Sequence, residues 1–396
     1  MTPDVFWRKS IALNNSDYDL IKRPVLDFLL IQCYNFIVHT NTKQIIYFRD
    51  FSMKEINCPI WWKSSLEDVE GVVSFVKRGS VKEIARSAGN RPIYMVEYGK
   101  SNVRLGAANC SSALGAHDIN YFADKRGEDY VPTVFLAGCI HGGEFEGTVA
   151  LLNLIKELET GTDYRGERHA ELIDTISRVH LVIIPVCNPD GRSRIPFCSF
   201  VGRTFYDLRY YNQGTWKSDG ALCGWPGCKM IHPIKEASDF LGAYFNDDGI
   251  NIMHEDFFGQ TSRETKAIFD ICRYMAPDCS VLLHGGTNSI SGILEPDYIS
   301  NESALDIRTL SATLKDKAEE SGLRYFSYGS GTISSGFTLP SAMHHLCGTM
   351  CVTYESNQGL ADAPGSPDLA EDIYALHRQL FTETARFVLN KFGKLK

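Results

Sequence analysis

Apolar residues follow two different spacings along this chain. Short unbroken runs at Thr133–Cys139, Val179–Val186, Cys279–Leu283 and Thr349–Tyr354 are the pattern of strands buried on both faces. Between them, Glu144 to Glu159, Arg263 to Met275, Leu305 to Ser321 and Asp368 to Lys391 place apolar residues at helical intervals. A helix from Leu66 to about Lys77 precedes Ser80–Ser87, a turn at Ala88-Gly89-Asn90 and a strand at Pro92–Tyr98, which together predict an opening β-hairpin. Alternation of this kind predicts an α/β fold, a sandwich with a mixed, largely parallel central sheet flanked by helices.

Two regions break the alternation. Residues 23–38 read as a helix and Gln44–Phe48 as a short strand, after which Pro59, Trp61 and Trp62 mark a change of character. The chain is therefore divided into an extension of unknown role, residues 1–64, and a main domain, residues 65–393. The second region, Asn188 to Gln260, is weakly periodic and rich in aromatic residues, glycine and proline. A connection of that length inside a compact domain usually serves function, and substrate contacts are expected there.

Composition narrows the classes. The 396 residues include 44% hydrophobic and 22% charged residues, the balance of an ordinary globular protein. A formal charge of -8 with no long basic run argues against nucleic acid as a partner. Leu26 to Val38, interrupted by Asp27, Gln32 and Asn35, is too short for a membrane span of about 20 residues. The first thirty residues, with Asp4, Asp17 and Asp19, lack the pattern of a secretory signal. The twelve cysteines are scattered through apolar segments, as expected for free thiols of a cytoplasmic protein. Neither Cys223 with Cys228 nor Cys347 with Cys351 has the spacing of a zinc ribbon.

Candidate chemistry gathers at the ends of the apolar runs. His141-Gly-Gly-Glu144 follows the first, where ligands of open α/β sheets bind, and the glycines let the backbone turn so that imidazole and carboxylate can face one ion. His284, followed by Gly285 and Gly286, ends the third. Two histidines and a glutamate leave a fourth position open for water, the arrangement of a catalytic rather than a structural zinc site with one ion. Glu355, at the end of the fourth run, can reach the same cleft, take a proton from the attacking water and deliver it to the leaving nitrogen. A competing reading makes Cys139 a nucleophile activated by His141, at the cost of leaving Glu144 and His284 without a role.

In their order these elements resemble the zinc carboxypeptidases: the H-x-x-E of His141 to Glu144, the Asn188-Pro189-Asp190-Gly191 turn, His284 and Glu355, over about residues 65–390. The resemblance implies an amide-bond hydrolase acting on a peptide or an N-acyl amino acid. It also implies an arginine, best matched by Arg203 with Arg194 and Arg209 in range, that stabilises the oxyanion. Members of that family grip the substrate carboxylate with an Asn-Arg pair. Here the matching stretch runs Asn251-Ile-Met-His254, so His254 and Asn251 become the candidate substrate-binding residues. The covering tyrosine of the family is also missing between Gly329 and Thr353. These losses keep two alternatives open, a deacylase or amidase acting on modified substrates and a zinc-binding module without catalysis. The sequence leaves oligomeric state open.

Overall fold

Valine, isoleucine and leucine fill both faces of the four central strands, and the architecture follows from covering those faces. The computed structural model describes residues 58–286, 291–327, 336–363 and 369–393. The helix and strand expected before residue 50 lie outside them.

The main sheet has eight strands: β1 (Ser80–Arg86), β2 (Pro92–Tyr98), β3 (Thr133–Ala137), β4 (His180–Ile184), β5 (Cys279–Gly286), β6 (Ser291–Leu294), β7 (Tyr325–Ser327) and β8 (Met350–Asn357). Their spatial order is β1-β2-β4-β3-β5-β8-β6-β7. The central four, β4, β3, β5 and β8, are mutually parallel. The β1-β2 hairpin joins β4 antiparallel at one edge, and β6 runs antiparallel to β8 near the other. The mixed, largely parallel α/β sandwich expected from the apolar spacing is thus the observed fold.

Side-chain alternation divides the core in two. Val134, Leu136, Leu181, Ile183, Val281 and Leu283 point into one cluster, and Phe135, Ala137, Val182, Ile184 and Leu282 into the other. The first face is covered by α1 (Leu66–Phe75), α2 (Glu146–Thr160), α3 (Ala170–Ile176), α5 (Asn301–Glu320) and α7 (Ala370–Lys391). The second is covered by α4 (Arg263–Met275) and α6 (Leu339–Cys347). Caps set the helix ends: Ser65 and Asp68 form a capping box at the start of α1, and Gly161 in the left-handed region closes α2.

Four findings differ from the sequence reading. Strands β6 and β7 and helix α6 lay unrecognised because their runs are short or begin with proline. The stretch from Asn188 to Gln260, read only as a weakly periodic connection, holds a short helix at Pro189–Ser193 and an antiparallel pair of Gly214–Trp216 with Ser238–Leu241. Residues 58–64 pack with the body, for Trp61 and Trp62 are buried in the first core cluster and Trp62 Nε1 donates to the Cys198 carbonyl at 2.9 Å. Cysteine chemistry is the fourth, since Cys58 and Cys198 are joined by a disulfide, while the nine other cysteines among the described residues are free. Among the described residues no helix is long and apolar enough to cross a membrane.

Candidate metal centre

The parallel strands deliver their carboxyl ends to one edge of the sheet, and the predicted ligands stand there. Past the end of β3 the chain turns through Cys139, whose φ is 51°, and reaches His141. Gly142 then presses on the Asn188-Pro-Asp-Gly turn so closely that a Cβ would lie 2.1 Å from the Gly191 carbonyl carbon, which leaves no room for a side chain. The Gly142 N–H donates to the Ala243 carbonyl at 2.7 Å and fixes the turn. His284 lies within β5, and Glu355 stands opposite it in the β5-β8 register.

His141, Glu144 and His284 are 7%, 3% and 2% exposed, and their donor atoms lie within 4.8 Å of one another. Nδ1 of His141 is 2.9 Å from Glu144 Oε1, and Nδ1 of His284 is 2.9 Å from Oε2. The Tyr244 ring lies against His141 with centroids 4.3 Å apart.

A proton count shows that this set fits a cation. Met253 N–H donates to Asn251 Oδ1 at 3.0 Å, so that atom is the amide oxygen and accepts only. His141 Nε2, 3.1 Å from the same oxygen, must therefore carry the proton. Burial lowers the pKa of His141 against the pull of Glu144, which favours the neutral ring. The neutral ring then turns the Nδ1 lone pair toward a carboxylate oxygen, and two acceptors at that separation require a positive centre between them. Zinc accepts this donor set of two nitrogens and a carboxylate.

The remaining candidates are distributed unevenly. The Asn251 side-chain oxygen is shared by His141 Nε2 and the Met253 N–H, the place of an outer partner that orients a metal-binding imidazole. Glu355 is half-buried, and burial, assisted by Glu144 and opposed by His284, raises its pKa to about 7. His254 is half-buried beside the centre, with Nε2 accepting from Lys229 Nζ at 2.9 Å. Arg203 rests its guanidinium 3.7 Å above the Phe197 ring and donates from Nε to the Ser199 carbonyl. Its backbone carbonyl accepts from Ala361 N, just beyond the strand that carries Glu355. Arg194 is committed to the Gly242 and Phe245 carbonyls and to Asp247, whereas Arg209 keeps a buried Nε without a hydrogen-bond partner. Cys139 is no nucleophile, because burial pushes its thiol to about 12 and its Sγ faces the His141 carbonyl. Sequence reasoning missed Lys229 and Tyr244, which lie in a weakly periodic stretch and reach the site only through tertiary packing.

The fold and this centre together define a metallohydrolase. Residues 74–198 match the zinc carboxypeptidase family model, a segment that contains His141, Glu144 and the Asn-Pro-Asp-Gly turn. Thrombin activatable fibrinolysis inhibitor has a similar structure, with 12% identity, 84% of this chain and 78% of that chain covered, and a TM-score of 0.50. A metallo-carboxypeptidase from Burkholderia cenocepacia aligns with 16% identity over 81% of this chain and 67% of that chain, with a TM-score of 0.49. No curated protein matches the sequence. Residues 74–198 thus resemble the zinc carboxypeptidases, and the chain is a metallohydrolase with a His-Glu-His candidate site for zinc.

Proposed function

We propose that the protein hydrolyses amide bonds of peptides or N-acyl amino acids, with His141, Glu144 and His284 holding one zinc ion and Glu355 moving the proton. The observation that carries this is the position of Glu355: across from His284 in adjacent parallel strands, half-buried, with a pKa raised to about 7. A carboxylate tuned near neutrality can take a proton from water and return it to the leaving nitrogen. Zinc, when bound, supplies the Lewis acidity that polarises the scissile carbonyl and lowers the pKa of water.

Arg203 is the proposed oxyanion partner, supported by its tie to the segment after Glu355. Arg209 competes for the role because of its unpartnered buried Nε. Asn251 acts through His141, while His254 faces substrate. Residues 65–393 form the proposed catalytic domain and residues 1–64 the extension. Deacylation or amidase action on modified substrates is the second reading, favoured by histidine rather than arginine at position 254.

The test is incubation of the zinc-loaded protein with free-acid peptides, C-terminally amidated peptides and N-acyl amino acids, with products read by mass spectrometry. Glu355-dependent release of amino acids or acyl groups is expected. Identical product profiles from the parent and Glu355→Gln would remove the proton-transfer role. Zinc binding without turnover in any class would favour a binding module.

A further inference from the structure

One buried charge takes no part in the metal centre and, among the described residues, forms no ion pair with a carboxylate. Arg192 is 4% exposed, and its guanidinium is spent on backbone: Nε donates to the Ser64 carbonyl at 2.8 Å, Nη1 to the Ile195 carbonyl at 2.9 Å and Nη2 to the Phe197 carbonyl at 3.0 Å. Its Cζ also lies 4.7 Å from the ring centroid of Phe145, the residue after Glu144. An apolar side chain would fill the same space without desolvating a charge. What the guanidinium adds is a rigid fork of donors that binds two segments of chain at once, residues 61–64 and residues 195–197.

Other ties join the same two segments. Trp62 Nε1 and Ser64 Oγ each donate to the Cys198 carbonyl at 2.9 Å, and Cys58 is bonded to Cys198. The strapped segment is the one on which Arg203 rests, with its Cζ 3.7 Å from the Phe197 centroid and its Nε donating to the Ser199 carbonyl at 3.2 Å. Phe200 stacks on Phe145 with centroids 5.6 Å apart, and Phe197 meets Phe200 edge-on at 5.0 Å. At its other end the segment is bonded to the chain that follows Glu355: Gly202 N–H donates to the Gly359 carbonyl at 2.7 Å and Ala361 N–H to the Arg203 carbonyl at 2.8 Å. Gln358 of that chain donates from Nε2 to the carbonyl of Gly143, between His141 and Glu144. Arg203 is thus bracketed by the turn that carries two metal ligands and the chain that follows Glu355.

We infer that Trp62, Ser64 and Arg192 are positioning residues: they strap residues 195–200 in place and so hold the Arg203 guanidinium where the oxyanion of the proposed hydrolysis develops. This rests on the reading of Arg203 as the oxyanion partner given above. Such donors act because their geometry is set before the charge appears, so a donor on a loop needs support from groups that do not themselves touch substrate. Residues 61–64 supply that support. They lie outside the main domain drawn from the sequence, and the strap makes them part of the catalytic unit.

The zinc-loaded full chain is measured as parent, Trp62→Phe, Ser64→Ala, Arg192→Met, Arg192→Lys, Arg203→Met and the double variant of Ser64→Ala with Arg203→Met. The substrate is benzoyl-glycyl-phenylalanine, and the binding probe is its phosphinic analogue, whose tetrahedral anion resembles the state to be stabilised. Arg203→Met is expected to lower kcat roughly 10²- to 10³-fold. Trp62→Phe and Ser64→Ala, which remove one donor each, lower kcat about 3- to 10-fold, with KM within about two-fold of the parent, unchanged zinc content and phosphinate affinity falling in step. Arg192→Met loses more, and Arg192→Lys regains little because an ammonium has no fork. The double variant separates positioning from packing: a strap that acts through Arg203 has no further effect once Arg203 is gone, whereas a general packing role adds its full factor. Additive losses, or strap variants at the parental rate beside a slow Arg203→Met, overturn the inference alone. Arg203→Met at the parental rate removes the oxyanion reading and the inference with it. If the substrate is not turned over although zinc is bound, calorimetry with the phosphinate decides. Affinity that falls in Ser64→Ala and in Arg203→Met, and no further in the double variant, upholds the strap; any other pattern removes it.

Discussion

The two walls of the site are built on different principles. One wall is the edge of the sheet, where His141, Glu144, His284 and Glu355 stand at or beyond the ends of parallel strands whose side chains are buried on both faces. The other, as proposed, is the long loop, where Lys229, His254, Arg203 and Trp225 are half-buried or exposed and are held by single hydrogen bonds and ring contacts. Rigid strand ends fix bond chemistry because close packing leaves each ligand one position. Loop residues are proposed to set which substrate is brought to that chemistry, because their positions can change without disturbing the core.

The contrast can be broken most severely at Glu355. Glu355→Gln should lower kcat by about 10²- to 10⁴-fold while zinc content by metal analysis stays at the parental level. Loss of zinc along with activity would show that Glu355 is needed to build the centre rather than to move a proton.

A pH effect tests the sheet wall from behind. His377 of α7 is fully buried against Tyr354, the residue before Glu355, and burial lowers its pKa to about 4 despite its bond to the Ile373 carbonyl. An unfolded histidine titrates near 6.5. Between these values the unfolded chain binds more protons than the folded one, so stability falls as pH drops from about 6.5 to about 4. The total is about 3 kcal/mol. His377→Leu should flatten the denaturant midpoint over this window; an unchanged slope would place the acid sensitivity elsewhere.

Asn251 stands where the walls meet, and Asn251→Ala should weaken zinc about 10- to 100-fold in a chelator competition. Asn251→Asp, which keeps the acceptor, should recover much of it. Equal zinc affinity in all three proteins would deny it the orienting role. Trp225→Leu on the loop wall is the mildest change. Losing its contact with the Lys229 ammonium, about 0.5–1 kcal/mol, it should raise KM by only a few-fold. A comparable fall in kcat would mean that the loop reaches into the chemistry.

Legibility in the sequence divides along the same line. The central strands, α2, α4 and α7 were readable because burial on both faces gives unbroken apolar runs and surface helices give a 3.6-residue period. His141, Glu144, His284 and Glu355 were readable because each is tied to such a run. Lys229 was not: it lies in a stretch without period and approaches His254 across 25 positions of chain. Asn251 was noticed, but its link to His141 was not legible, since only the structure brings its oxygen to the Met253 N–H and His141 Nε2. The bridge of Cys58 to Cys198 spans 140 positions and has no local signal.

By itself the sequence determined the α/β class, the strand ends that carry the ligands and the donor set that selects a metal. All three are local properties of pattern and residue type. Tertiary structure alone decided the proton on His141 Nε2, the neighbours of each arginine and the pairing of Lys229 with His254. Those depend on distances between segments far apart in sequence, which hydrophobic periodicity does not encode.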